Sequence, residues 1–406
     1  MKPASMLPLL FFLAATHLVV DLVAGTLNPL WPRFNDHYQL GAAEAVILFV
    51  IWQGSASVSQ FVFGMYGDRF NTRWLLWTGP IVATICLSSV GLFQSPIILG
   101  ILLAASGLGI AAFHPEGAAL AGSCVPEHRS RAMSIFTVGG FIGQAIGPAY
   151  SGGIVTWLGL SGLAWGLLGG LLAFALLLPL GRGVMTQPAR PPSAPVNLRV
   201  LFRGREWPVL LVLVIGSLRI IAAAGVPVLV GFLLHSRGAC DFDLGLVQSA
   251  FMFGIGLGGL ASATLFRPRH EGTILWLCPL LVTPVLVAIP YLGEGWLLFA
   301  SVGLTGLLLG ISLPVLISYG QQLMPDSQRI ASSITMGVSW GLGGGIVSLI
   351  LYLCQLYGHF EPAFPAFAVA TLASSALCIW LPAVSAQQPA LPAAKLPADQ
   401  PHPAEA

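Results

Sequence analysis

His17 and Asp21 lie four residues apart in an otherwise apolar stretch, so a helix sets an imidazole and a carboxylate on one face. A carboxylate at lipid depth is costly and normally faces a cavity or a partner. Burial and a neighbouring cation shift its proton affinity in opposite directions. An aspartate that alternately meets and loses a cation therefore takes up and releases a proton. The candidate cation is Arg219, the one arginine inside an apolar segment. It admits three readings: an exchange partner for Asp21, a static ion pair, or a guanidinium fork for an anionic substrate. His114 and Glu116 sit two residues apart near the end of another apolar segment. Glu116 is either a proton relay or an acid that caps nearby arginines.

The segments that must position these groups are of membrane length. The 406 residues are 56% hydrophobic and 8% charged, with a mean hydropathy of +0.86. Soluble domains carry about 25% charged residues, so lipid must be the main solvent here. A span needs about 20 mainly apolar residues. Twelve such stretches are predicted as helices: 7–30, 42–63, 75–93, 97–120, 132–156, 160–180, 208–234, 244–265, 274–292, 296–319, 333–356 and 363–382. The first contains Asp21 and Pro29 and is longer than a signal-peptide core, so it is kept as a span.

Charge supports that count. Fourteen of the basic residues fall on one side of such a chain, Arg33 and Arg237 on the other, and Arg219 inside. The positive-inside rule makes the rich side cytoplasmic and places both termini there. An odd number of spans would scramble the sorting. The expected organisation is an all-α membrane protein of twelve transmembrane helices in two pseudo-symmetric six-helix halves, 1–180 and 208–383. A Pro- and Arg-rich linker at 181–207 joins the halves, and a Pro/Ala-rich tail, 384–406, follows them.

The two halves repeat. Asp21 and Arg219 share an offset of 198 residues with Pro29 and Pro227, Arg69 and Arg267, and Arg131 and Arg329. The ladder Gly139, Gly143, Gly147 matches Gly337, Gly341, Gly345 at the same offset. This register sets Asp21 and Arg219 facing each other across a central cavity. Repeated halves rocking about a midplane site are a known way to build a transporter.

The loop Gly64-Met-Tyr-Gly-Asp68-Arg69-Phe-Asn-Thr-Arg73 resembles the signature loop of the major facilitator superfamily, with Asn71 and Thr72 departing from the pattern. Its charges, with Arg131, suit a cytoplasmic gate that latches onto helix ends. The ladder followed by Pro148 resembles the glycine-proline stretch of drug antiporters in that superfamily. Glycines four apart admit close helix approach and Pro148 bends the helix, so packing and hinge readings both stand. The runs Phe113-His-Pro-Glu-Gly117, Arg131-Ala-Met-Ser-Ile-Phe136 and Gly320-Gln-Gln-Leu-Met-Pro325, with His17 and Asp21, resemble the fosmidomycin-resistance group. That resemblance implies twelve helices and proton-driven export of a small, often anionic, compound. Proton-coupled import runs on the same residues and stays open.

Other chemistries find little support. Lysine occurs only at 2 and 395, so no P-loop is present. No HExxH or CxxC pattern occurs, and neither a metal nor a cofactor is expected. The GxSxG match at Gly337–Gly341 lies within a helix and overlaps the ladder, so no hydrolase, and no enzyme, is read from it. With a net charge of +2 nothing points to nucleic acid. The expected partners are a small-molecule substrate, protons and the bilayer, with the chain a monomer. The topology predicts that an impermeant maleimide applied to intact cells labels Cys240 and spares Cys124. The opposite pattern would invert the assignment.

Overall fold

In the computed structural model, residues 6–67, 70–125, 129–181, 204–265, 268–324, 331 and 333–382 are described. Among them twelve helices are long and apolar enough to cross a membrane. These are α1 (Leu7–Tyr38), α2 (Ala42–Gly67), α3 (Leu75–Leu92), α4 (Pro96–Cys124), α5 (Ala132–Leu158) and α6 (Leu160–Gly181). The second set is α7 (Glu206–Ser236), α8 (Asp241–Leu265), α9 (Glu271–Tyr291), α10 (Trp296–Leu323), α11 (Ile334–Tyr357) and α12 (Ala363–Trp380). The sequence-expected ends hold to within a few residues except in α1. There Pro29 and Pro32 do not stop the helix. A 3-10 turn, Asn28–Leu30, carries the chain into Trp31–Tyr38, because a proline in a first turn has no bond to lose.

The packing repeats with the halves. Contacts of α1 with α5 correspond to those of α7 with α11, and α3–α4 to α9–α10. The halves meet where α5 packs on α8 and α2 on α11, two seams that a twofold relation exchanges. The turns after odd-numbered helices share one face, here face A; those after even-numbered helices share face B. On face A the halves are tied by His235 to Asp36 at 3.0 Å, Arg33 to Asp241 at 3.9 Å, and Asn35 donating to Gln355 at 3.2 Å. Exposed Trp157, Trp165, Tyr291 and Trp296 ring face A, and exposed Trp74, Trp207 and Trp380 ring face B. Such belts mark the two interfaces of a membrane.

Lipid tails are as apolar as the helices, so helices associate here through close packing. The Gly139, Gly143, Gly147 ladder supplies it in the first half. A Cβ on each would run into the α1 backbone, at the carbonyls of Ala14, Leu18 and Leu22. Pro148 contributes as well. Having no N–H, it leaves the Gln144 carbonyl without its helical donor, and Gly25 of α1 packs against that oxygen.

The second ladder departs from expectation. Gly341 and Gly345 are exposed, and nothing lies near a Cβ on Gly337 or Gly345. The face of α11 turned to α7 is instead Ser339, Gly343 and Val347. The cause is a π-type segment, Ser333–Val338, at the start of α11. Its wider turn takes up extra chain and rotates the following glycines off the seam. Span α2 carries a π-type segment too, Gly54–Val58, and the two touch across the halves.

Cys124 is 2% exposed, so burial alone would spare it from maleimide. Gly272→Cys, on open surface at the face B start of α9, is the better counterpart to Cys240. The seam itself gives a sharper prediction. Gly143→Leu should abolish folded, active protein, whereas Gly345→Leu should leave melting temperature and transport near wild type. Equal behaviour of the two would refute the α1–α5 backbone contact.

Candidate functional site

The helical spacing of His17 and Asp21 does place them together. His17 Nε2 lies 3.2 Å from Asp21 Oδ2. From α4, 93 residues further along, His114 Nε2 reaches Asp21 Oδ1 at 3.0 Å. Gln144 of α5 donates its amide to Asp21 Oδ2 at 2.9 Å. Asp21 is 3% exposed and His17 7%, so the carboxylate is answered entirely by three helices.

Both rings are fixed from behind. His17 Nδ1 donates to the Phe136 carbonyl at 2.8 Å, and His114 Nδ1 to the Ile110 carbonyl at 2.8 Å. A carbonyl only accepts, so each Nδ1 carries its proton and each Nε2 turns to the carboxylate. Each N–O line then needs a proton of its own to be a hydrogen bond. The cluster thus joins α1, α4 and α5 through groups that can carry protons. His17 also stacks on Phe136, with ring centroids 4.1 Å apart, and meets Phe113 at 5.9 Å. Gly140 leaves the room for it: a Cβ there would lie 2.5 Å from His17 Nε2 and 2.6 Å from Asp21 Oδ2.

Gln144 and Gly140 are the residues that sequence reading missed. The available signal was a lone amide inside a glycine-rich span, one helical turn beyond a glycine outside the ladder. The bond itself, across 123 residues, has no pattern along the chain.

Glu116 stands apart from the trio. Thr72 donates to its carboxylate at 2.7 Å, and a Cβ on Gly67 would lie 3.3 Å from it. Burial pulls the Arg73 guanidinium below its ordinary value, and the charge of Glu116 works against that. Glu116 therefore holds the α2–α3 loop through Thr72, and a Cβ on Gly64 would lie 3.8 Å from Pro115 of α4. Asp68 and Arg69 of the expected gate lie outside the described residues, as does the side chain of Arg131. Most of the linker and the tail do too.

Arg219 corrects the expected register. It is fully buried, but it points into its own half. Its guanidinium donates to the Leu275 carbonyl of α9, to the Ser312 carbonyl of α10 at 3.4 Å and to Cys378 Sγ at 3.3 Å. Asp21 is not among its partners. The glycine contacts explain why. Gly143 approaches Leu18 O in the first half, and Gly343 approaches Ser217 O in the second. Asp21 is three residues beyond Leu18, so its true counterpart is Ile220, which also lines Gly343. One residue is about 100° of helix, enough to turn Arg219 away from the seam.

A family model described as Major Facilitator Superfamily matches residues 13–348. The chain is 25% identical over 342 residues to the fosmidomycin resistance protein of Escherichia coli strain K12, covering 82% of each. It is 26% identical over 356 residues to the uncharacterized MFS-type transporter YfnC of Bacillus subtilis strain 168, covering 84% of this chain and 85% of that one. Among solved structures, the nucleoside transporter NupG superposes with a TM-score of 0.71 at 12% identity, over 92% of this chain and 99% of that one.

Because Asp21 and Arg219 share no partner, their substitutions should act independently. The stability losses of Asp21→Asn and Arg219→Leu should sum in the double variant to within about 0.3–0.5 kcal/mol. A coupling energy well above that would restore the central pair that the geometry removes.

Proposed function

This chain belongs to the Major Facilitator Superfamily, and from that premise we propose that it is a proton-coupled exporter of small organic compounds, working by alternating access. It is a multi-pass integral membrane protein. In this reading it sits in the cytoplasmic membrane as a monomer, with face B and both termini inside, as the arginine sorting supports. It is a transporter and not an enzyme. Its partners are a small-molecule substrate, protons and the bilayer.

The observation that carries the proposal is the closed His17–Asp21–His114 cluster. With its protons in place, it binds α1 to α4. Without them, two imidazole lone pairs oppose a carboxylate and the contact loosens. The change is passed to α5, because Phe136 O and Gln144 belong to that helix. The same helix forms the seam to the other half: Ala149 donates to Ser249 of α8 at 3.0 Å, and Gly245 packs on the Pro148 carbonyl. Rocking about that seam opens the face A ties on one side and engages the Gly64–Arg73 loop, with Arg131, on the other. The relative's name, fosmidomycin resistance protein, supports export.

A second reading has one observation in its favour. His114 keeps 22% of its side chain accessible, more than Asp21 or His17. An anionic substrate contacting it would bind together with its proton, since coupling between ligands is reciprocal. That is symport of an organic anion. A substrate that displaces the proton gives antiport. The two are told apart by ligand-induced stabilisation at two pH values: tighter binding in acid means symport, weaker binding means antiport.

In proteoliposomes, a pH gradient should drive substrate movement by wild type, and Asp21→Asn should reduce it to the protein-free level while expressing normally. Persistent pH-driven transport by that variant would remove Asp21 from the coupling site.

A further inference from the structure

We propose that His17, Asp21 and His114 form a binding site for a divalent metal ion of the zinc class, held by two imidazole nitrogens and one carboxylate oxygen. The inference uses the same side chains as the proton reading but stands on their geometry alone.

The ligand atoms of the three residues all lie within 4.8 Å of one another. His17 Nε2 lies 3.2 Å from Asp21 Oδ2 and His114 Nε2 lies 3.0 Å from Oδ1, so the two imidazoles reach different oxygens of one carboxylate, each near the edge of about 3.3 Å for a tetrahedron with ligands about 2.0 Å from a central Zn²⁺. Seating an ion requires the three ligand atoms, now within 4.8 Å of one another, to draw together onto one carboxylate oxygen.

The surroundings are those of a metal site. Metal-bound histidines characteristically donate their second ring nitrogen to a carbonyl or carboxylate, which fixes tautomer and orientation. Both histidines do so here, to Phe136 O and Ile110 O, and Asp21 has its own outer partner in Gln144. Two Nε2 lone pairs and a carboxylate converge in a place that is almost closed. One dication answers all three, as a pair of protons does. The donors are nitrogen and oxygen with no thiol, which suits Zn²⁺ or Co²⁺ rather than soft ions. His114 keeps 22% of its side chain accessible, so a fourth ligand, water or a substrate group, would have to enter from its side.

The helix spacing hides this site from sequence patterns. Its ligands come from α1 and α4, so no short motif of the HExxH kind marks it.

The test is to titrate the purified full-length chain in detergent with Co²⁺ and record its visible absorption. The expected result is one ion per chain with the intense bands of a tetrahedral nitrogen–oxygen site, displaced by Zn²⁺. The bands should vanish in His17→Gln and His114→Gln, and the affinity should fall about 10–100-fold in Gln144→Ala, which removes only an outer partner. Wild type that binds no Co²⁺ in this form overturns the proposal whether or not the variants fold. So do thiolate charge-transfer bands, which would place the ion on a cysteine, and so does full retention of binding in both histidine variants. The proton reading is judged separately, by pH-driven transport in metal-free liposomes. Transport without Co²⁺ binding defeats only the metal site, and Co²⁺ binding without pH-driven transport defeats only the coupling.

Discussion

The carboxylate of Asp21 has almost no access to solvent, and the structure of the first half is arranged around answering it. Leaving such a group unanswered in an apolar medium is prohibitive. Its donors come from three helices, so the demand of one side chain fixes the relation of α1, α4 and α5. The anchoring carbonyls behind the two histidines matter as much as the histidines. They allow the rings to change charge without losing their position.

The same helices must also come close, and lipid gives them no reason to. Glycine solves this by letting main chains touch. Span α5 does so on two sides, with Gly139, Gly143 and Gly147 against α1 and Gly152 against α8 at Asp241. The second half has its own such seam, where Gly254 and Gly258 of α8 meet α10 and Gly306 and Gly310 of α10 answer them. Span α5 is therefore at once a wall of the ionisable cluster and half of the interface between the two six-helix units. A disturbance at the cluster has no need to travel far.

Much of this was legible in the chain. Length and hydropathy identified twelve spans, because the bilayer imposes one length on all of them. The four-residue spacing put His17 beside Asp21, because a helix has only one geometry. What failed was the repeat used as a ruler. An offset of 198 matched charges and glycines, yet the packing faces of α1 and α7 are related by 199, and those of α5 and α11 by two more than the ladder suggests. Single-residue slips are invisible to composition but rotate a side chain by about 100°. They moved Arg219 from the expected cavity to the interior of its own half, and they moved the second ladder to the surface. Gln144 and Gly140 were unreadable for a different reason: their partners are set by tertiary approach, which leaves no periodic trace.

The seating of Arg219 bears on how the chain is made. The most apolar stretch of its span, α7, has a mean hydropathy of 2.5, which favours entry into the bilayer despite a guanidinium near its middle. An arginine at the centre of an inserting helix costs about 2.5–3.5 kcal/mol on translocon scales. The groups that relieve that cost belong to residues 275, 312 and 378. The last of these emerges from the ribosome only when the final span does. The Leu275 and Ser312 carbonyls come earlier, with α9 and α10, whereas the cluster of the first half is already complete by residue 144. The order of synthesis therefore treats the two halves unequally: the groups around Asp21 are all made by residue 144, while the set around Arg219 is complete only with α12.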